Sequence, residues 1–297
     1  MRKSWKLGAV SVALMAALGL FGCSGGDTTE QKADKPAAPQ AETQAPEETK
    51  PEGEAVELQI FAANSLTKAM AEAEELYTQQ NPNVTFADTQ YEASGTLNEM
   101  LGAGQYADIL ITASKGTMDD AEAAELVDAD TREDMFVNDL VIIRAEGSDT
   151  KVEAIADVAN LDGKIAIGDA KTVPAGKYAN QALASVGLYT GTEGDDGEYA
   201  PEIADKVALA DKVGTAAAYV STGDCVAGFV YSSDIFRYDG IEEAFVCPED
   251  SHKPIVYPGA VAESSEHADE AKAFIDFCLT NKKAQKIWAK YGFELSA

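Results

Sequence analysis

Histidine is almost missing from this 297-residue chain, which has only His252 and His267. Histidine is the usual general base near neutral pH and the commonest transition-metal ligand, so a histidine-rich metal centre or an acid-base triad has little to draw on. Cationic side chains are also scarce, 23 Lys and Arg against 51 Asp and Glu, for a formal charge of −28. A surface that negative repels phosphate backbones and anionic headgroups, so nucleic acid is excluded as a partner. The four cysteines contain no CxxC pair, which removes redox-dithiol and zinc-ribbon readings. No apolar run reaches the ~20 residues that span a bilayer. What remains is 45% hydrophobic, 25% charged and rich in glycine, with 24. That is the composition of a folded globular chain, long enough for two domains.

The amino-terminal stretch reads as an address. Arg2, Lys3 and Lys6 precede an apolar run from Leu7 to Phe21, as in a signal peptide over residues 1–22. Its loss takes the formal charge from −28 to −31, because three cations and no acid leave with it. The run ends in Leu20-Phe21-Gly22-Cys23 followed by Ser24-Gly25-Gly26, which resembles a bacterial lipobox. That resemblance implies cleavage before Cys23, acylation there, and an anchor to the outer face of the cell membrane, since two or three acyl chains hold a domain stably. Residues 23–54 shift to Ala, Pro, Gln, Thr, Glu and Lys, with Pro36, Pro39, Pro46 and Pro51, and read as a disordered linker. Export leaves Cys225, Cys247 and Cys278 in an oxidising compartment. Cys225 and Cys247 bound two strand-like segments and are a possible pair; three buried thiols are the equal alternative.

From Val56 onward short apolar strands alternate with helices of period 3.6, the pattern of an α/β protein. Val56–Ala62 reads as the first strand. Leu66, Ala69, Met70, Ala73, Leu76 and Tyr77 share one face of a helix that Asn81-Pro82 stops. Further strands are expected at 84–91, 109–112, 139–144, 164–168, near 207, 225–231 and 254–261. Helices are expected around Leu97, over 117–126, 174–186, after Asp211, over 268–279 and over 282–291. Residues 189–200, rich in Gly, Thr, Glu and Asp, read as a surface insertion.

Four strand-to-helix junctions carry small or hydroxyl residues: Asn64-Ser65, Ser94-Gly95, Pro174-Ala175-Gly176 and Val213-Gly214. A helix amino terminus exposes unpaired N–H groups and the positive end of its dipole, so such a junction can hold an anion without a formal charge. Ser65 is expected at or near a helix N-cap and Ser94 as an N-cap. Any one of these is ordinary; their shared position at the carboxyl ends of strands, where open α/β sheets bind ligands, is what raises the set.

The strings Phe61-Ala62-Ala63-Asn64-Ser65-Leu66-Thr67, Ala107-Asp108-Ile109-Leu110-Ile111-Thr112-Ala113, Val173-Pro174-Ala175-Gly176-Lys177-Tyr178-Ala179, Val230-Tyr231-Ser232-Ser233-Asp234 and Pro248-Glu249-Asp250-Ser251-His252 resemble, in order, the extracytoplasmic molybdate-binding proteins of ABC importers. The resemblance spans about residues 56–295. It implies a two-lobed type II periplasmic-binding-protein fold, each lobe a mixed, mainly parallel sheet flanked by helices, with the chain crossing twice between lobes. Lobe one would be 55–137 with 256–297, lobe two 138–255, and the hinges would lie near Val137-Asn138-Asp139 and His252-Lys253-Pro254. It also implies a tetrahedral dianion, molybdate and with it tungstate, held by Ser65, Ser94, Ala175, Val213 and Tyr231 and delivered by a monomer to a membrane permease. Asn64 and Lys177 depart from the family pattern and are candidate additional donors. No cofactor and no directly coordinated cation is implied.

A fully deprotonated tetrahedral oxyanion offers only acceptors, and neutral N–H and O–H groups desolvate more cheaply than Lys or Arg. Hydrogen phosphate carries a proton and wants an acceptor, which none of the five residues supplies as an acid. Sulfate differs mainly in radius and is the alternative guest; a surface lipoprotein that keeps the fold without transport is the alternative class. A hydrolase built on Ser65 or Ser94 with His252 lacks a GxSxG elbow at either serine. The pairs Asp119-Asp120 and Asp195-Asp196 lack the spacing of a Ca²⁺ loop and read as solvated faces.

Overall fold

The computed structural model describes residues 54–296. The leader, the acylation site at Cys23 and the linker up to residue 53 lie outside the described residues.

The expected first strand is two. β1 (Val56–Leu58) and β2 (Ile60–Ala63) part at Gln59, whose N–H donates to Asp108 Oδ2 at 2.8 Å and whose carbonyl accepts from Asp108 N at 2.8 Å. The strand expected over 84–91 divides in the same way, into β3 (Val84–Phe86) and β4 (Gln90–Glu92), so that β1 pairs with β3 and β2 with β4, both parallel. Between them α1 (Thr67–Gln80) buries Ala69, Met70, Ala73 and Tyr77, and stops at Asn81. There follow α2 (Ser94–Gly102), β5 (Ile109–Ile111), α3 (Lys115–Ala123), β6 (Glu133–Asn138) and β7 (Leu140–Ala145). Sequence pattern does not announce β6, because Glu133, Asp134 and Asn138 leave only Met135 and Phe136 fully buried in it.

The chain continues through β8 (Ile165–Gly168), α4 (Pro174–Ser185), α5 (Pro201–Ala204), β9 (Val207–Ala210), α6 (Val213–Ser221), β10 (Ala227–Tyr231) and β11 (Ile241–Val246). It closes with β12 (Ile255–Val261), α7 (Ala268–Thr280), α8 (Lys282–Lys290) and β13 (Glu294–Leu295). One sheet has the order β13-β6-β12-β5-β2-β4 and the other β11-β7-β10-β8-β9. In the first, β2 runs parallel to β4 and β5. In the second, β8 runs parallel to β9 and β10. The remaining ladders of both sheets are antiparallel. The chain passes from the first sheet to the second between Asn138 and Leu140, and returns between Val246 and Ile255.

Under the first sheet the aromatic side chains interlock, with Phe136 and Trp288 ring centres 4.2 Å apart and Tyr257 edge-on to Phe293 at 5.5 Å. The three thiols are free and buried. β10 and β11 both run antiparallel to β7 and therefore parallel to each other, so Cys225 before one and Cys247 after the other stand at opposite ends of the sheet. No bond between them can form there, and burial pushes the Cys247 thiol up to about 12. The segment 189–200 is less of a surface loop than expected: Asn180 and Gln181 of α4 donate to the carbonyls of Gly194 and Glu193 at 2.7 and 3.0 Å.

Candidate functional site

β2, β4, β8, β9 and β10 all end at one place between the two sheets. Their carboxyl-terminal junctions meet around one small cavity lined by Ser65, Ser94, Ala175, Val213 and Tyr231, together with Ala63, Asn64, Glu92, Ala93, Ala113, Val173 and Pro174. All five residues singled out in the sequence therefore face one space. Ser65 and Ser94 come from the six-stranded side, Ala175, Val213 and Tyr231 from the five-stranded side.

Ser94 is not the N-cap expected of it, and Ser65 lies near a cap but does not form one. Ala63 caps a single 3₁₀ turn at Asn64–Leu66 and Ala93 caps α2, so Ser65 is the second and Ser94 the first residue of its helical turn. Their hydroxyls are consequently not consumed by their own helix. Ser94 Oγ accepts the N–H of Ala113 at 2.9 Å, and Ser65 Oγ meets Tyr257 Oη at 2.9 Å. Each is buried.

Ala175 and Val213 contribute backbone. Val213 is the first residue of α6 and Ala175 the second of α4, behind Pro174, positions whose N–H groups have no carbonyl one turn back. Gly176 makes the α4 terminus possible: a Cβ there would stand 2.0 Å from the Gly168 carbonyl at the end of β8. The helix start is thus pressed onto the strand end, and its dipole points into the cavity.

Tyr231 closes β10. It is 1% exposed, its Oη has no hydrogen-bond partner among the described residues, and burial with the nearby Tyr257, Tyr178 and Asp234 holds its phenol far above the ordinary range. The hydroxyl is therefore a neutral donor in search of an acceptor. Its own N–H donates to the fully buried Asp234 Oδ2 at 3.0 Å, and Arg237 lies 3.3 Å from the other oxygen of that carboxylate. Burial raises the Asp234 carboxyl and Arg237 opposes the rise.

The two additional candidates are otherwise engaged. Asn64 borders the cavity, but its Nδ2 donates to the Tyr91 carbonyl at 3.3 Å while its Oδ1 accepts from Gly214 N at 3.1 Å and Arg237 Nη2 at 3.0 Å. Lys177 lines a separate pocket of about 530 Å³ and pairs with Asp195 at 2.6 Å. The one carboxylate at the cavity's edge, Glu92, is paired with Lys212 at 2.9 Å. His252 does not line the cavity; its Nδ1 lies 2.8 Å from the Lys253 carbonyl and its ring faces Tyr178, so it has no serine to activate. Asp119 is paired with Arg132 at 2.7 Å, and among the described residues no cluster of three metal-ligating side chains occurs.

Sequence reasoning missed Arg237 and Tyr257, and it placed Asn138 only at a hinge and Asp234 only within a family string, with no role at the site. The partners of Asn138 and Tyr257 are 94 to 192 positions away, and Asp234 and Arg237 read as one turn after a strand.

The arrangement of uncharged donors from two sheets around one small space suits capture of an acceptor-rich guest and supplies no nucleophile-base pair. Residues 58–294 match the family described as bacterial extracellular solute-binding protein. A molybdate-binding protein, ModA, of Escherichia coli strain K12 is 33% identical over 242 residues, 80% of this chain and 88% of that one. The periplasmic molybdate-binding protein of Azotobacter vinelandii superposes with a TM-score of 0.67 at 18% identity, covering 81% of this chain and all of that one. The sulfate-binding protein SubI of Mycobacterium tuberculosis does so at 0.66 and 16%, covering 81% and 87%, a likeness of fold alone. These are two-lobed periplasmic binding proteins, and the α/β fold expected from the sequence is theirs. Among the described residues no helix is long and apolar enough to cross a membrane. With a family match over nearly all of the described chain, this protein belongs to the bacterial extracellular solute-binding proteins, which bind their guests and do not transform them.

Proposed function

We propose that this chain captures molybdate, and with it tungstate, outside the cytoplasm and hands it to the membrane permease of an ABC importer, tethered through acylated Cys23 and acting as a monomer. Lobe one is residues 55–137 with 256–297 and lobe two 138–255, closing over the anion. The guest's oxygens would receive the hydroxyls of Ser65, Ser94 and Tyr231 and the amides of Ala175 and Val213. The observation that carries this reading is the Tyr231 hydroxyl, buried at the cavity and without a partner among the described residues. A buried orphan of that kind costs about 1–3 kcal/mol unless an acceptor arrives. The ModA relative adds support, because the molybdate of its name is a tetrahedral dianion that presents only acceptors.

Local dipoles suffice at this distance. The many surface acids act through water and salt beyond about 8 Å, while four helical-turn termini and three hydroxyls act within van der Waals contact.

A thermal-melt panel tests the reading. Molybdate at a hundredfold excess over its dissociation constant should add about 2.7 kcal/mol, a shift of several degrees for a chain of this size. Tungstate should do the same and phosphate should not. A shift with sulfate alone would replace molybdate as guest, and no shift with any oxyanion would reject transport of oxyanions altogether.

A further inference from the structure

Behind Ser65 stands a line of polar groups that belongs to no donor set considered above. It begins where the chain first crosses between the sheets. Asn138 Oδ1 accepts the N–H of Asp139 at 2.9 Å and the hydroxyl of Ser232 at 2.8 Å. A backbone N–H can only donate, so this contact fixes which end of the Asn138 amide is oxygen. The other end, Nδ2, faces Ser233 Oγ at 2.8 Å and Tyr257 Oη at 3.3 Å, and an NH₂ group can only donate. Tyr257 Oη is therefore an acceptor towards Asn138, and its single hydrogen is left for its other neighbour, Ser65 Oγ, at 2.9 Å. Ser65 Oγ accepts that hydrogen, and its own is left for the cavity.

The Asn138 steps follow from the hydrogens each atom owns, and the last from Ser65 Oγ being the one acceptor that the Tyr257 hydroxyl reaches among the described residues. Tyr257 is fully buried, and burial holds its phenol well above the ordinary range, so the proton it passes forward stays in place at any physiological pH. Asn138 ends β6 and Tyr257 lies within β12, the two strands on either side of the crossings, which gives the line a rigid frame. On the far side of the cavity the Ala113 N–H does the same for Ser94 in one step.

Resting on the oxyanion reading above, we infer that Asn138 and Tyr257 are positioning residues that set the specificity of the site: they hold the hydrogen of the Ser65 hydroxyl towards the cavity. A guest oxygen that carries a proton meets another hydrogen along that direction, whereas a bare oxygen meets a donor. Discrimination between a bare dianion and a protonated one is then imposed from the Asp139 amide, three groups away, and not by Ser65 alone, whose hydroxyl could otherwise turn either way.

The test is calorimetry of the full chain with sodium molybdate and with inorganic phosphate at pH 8, where phosphate is mostly the doubly charged hydrogen phosphate. Two variants are compared with the parent. Tyr257→Phe frees the Ser65 hydroxyl to rotate. Asn138→Asp reverses the line: a carboxylate accepts from Tyr257, Tyr257 then accepts from Ser65, and a lone pair faces the cavity. Both guests carry two charges, so the added carboxylate weakens them alike and drops out of their ratio. In either variant that folds, the ratio of molybdate to phosphate affinity should fall at least about tenfold, whereas a purely structural defect would lower both affinities together. A ratio within twofold of the parent in the folded variants, or a parent that already prefers phosphate, overturns the inference and leaves the oxyanion reading standing. A parent that binds neither molybdate, tungstate nor sulfate overturns both.

Discussion

Arg237 Nη2 lies 3.0 Å from Asn64 Oδ1, across 173 positions of chain and from one sheet to the other. The same guanidinium also donates to the Asn64 carbonyl, and Gly214 N donates to Asn64 Oδ1 at 3.1 Å. Asn64 precedes Ser65, while Arg237 is tied to Asp234, which receives the Tyr231 N–H. The contact therefore joins the backbone beside one proposed donor to the backbone of another. Its bonds exist only while the two sheets are close.

Asn64→Ala removes the acceptor on one side and leaves the buried Asp234–Arg237 pair intact. The expected result is molybdate release faster by about tenfold, with capture little changed, because the lost bonds form after encounter. Rapid-filtration release and association measurements separate the two rates. An unchanged release rate would show that closure does not depend on this contact.

Tyr231→Phe should act with opposite signs on the free and the loaded protein. The parent hydroxyl is buried and unpartnered, so its removal should leave the unliganded melt unchanged or raise it. Molybdate binding should weaken by about 1.5–3 kcal/mol, as for a hydrogen bond to a charged group, and Ser65→Ala should weaken it comparably. Paired melts and calorimetry check this; a Phe variant with parental affinity removes Tyr231 from the site.

Gly95 N donates to the Thr172 carbonyl at 2.9 Å, and a Cβ on Gly95 would stand 2.8 Å from Thr172 Cα. The two residues flank the cavity from different sheets. Gly95→Ala should hold them apart, lowering molybdate affinity by at least tenfold while the unliganded melt moves by no more than a degree or two. A large loss of stability without ligand would mean that the contact belongs to the core and not to closure.

Glu74 on α1 is largely buried, and burial pushes its carboxyl up to about 7 against the bond from Thr89 at 2.6 Å. In the unfolded chain it ionises near 4.5. Between those values the folded state holds a proton that the unfolded state has lost, so stability falls as pH rises from about 4.5 to about 7 and stays low above. Glu74→Gln should abolish that part of the slope and stabilise the protein at pH 8 by about 2–3 kcal/mol. Denaturant melts from pH 4.5 to 8 measure it; a parallel pair of curves would refute the assignment.

Much of the scaffold was readable in advance. The 3.6-residue period of α1 and its stop at Asn81-Pro82, Pro174 opening α4, and the apolar runs of β5, β8, β10 and β12 are local signals, and the elements lie within a residue or two of them. The junctions at Ser65, Ser94, Ala175 and Val213 are legible because small and hydroxyl residues at strand ends are also local, whereas the choice of five positions, Tyr231 among them, rests on the family resemblance. Other features are not legible in this way. Ser94 reads as a cap, since a serine before a helix has no way of displaying that Ala93 holds the cap position. Asn64 and Lys177 looked like spare donors until Arg237, Gly214 and Asp195 were found to occupy them.

By itself, then, the sequence determined most of the helices and strands, that the chain is acidic, and that helix starts with bare amides follow the strands, because each of these depends on neighbours a few residues away. Only the tertiary structure decided that five such donors meet in one cavity, that Cys225 and Cys247 stand at opposite sheet ends, and which way the hydroxyl of Ser65 can point. Those properties are set by hydrogen-bond partners and strand order at separations of tens to nearly two hundred residues, and the direction of a hydroxyl is fixed by what surrounds it and not by the residue that bears it.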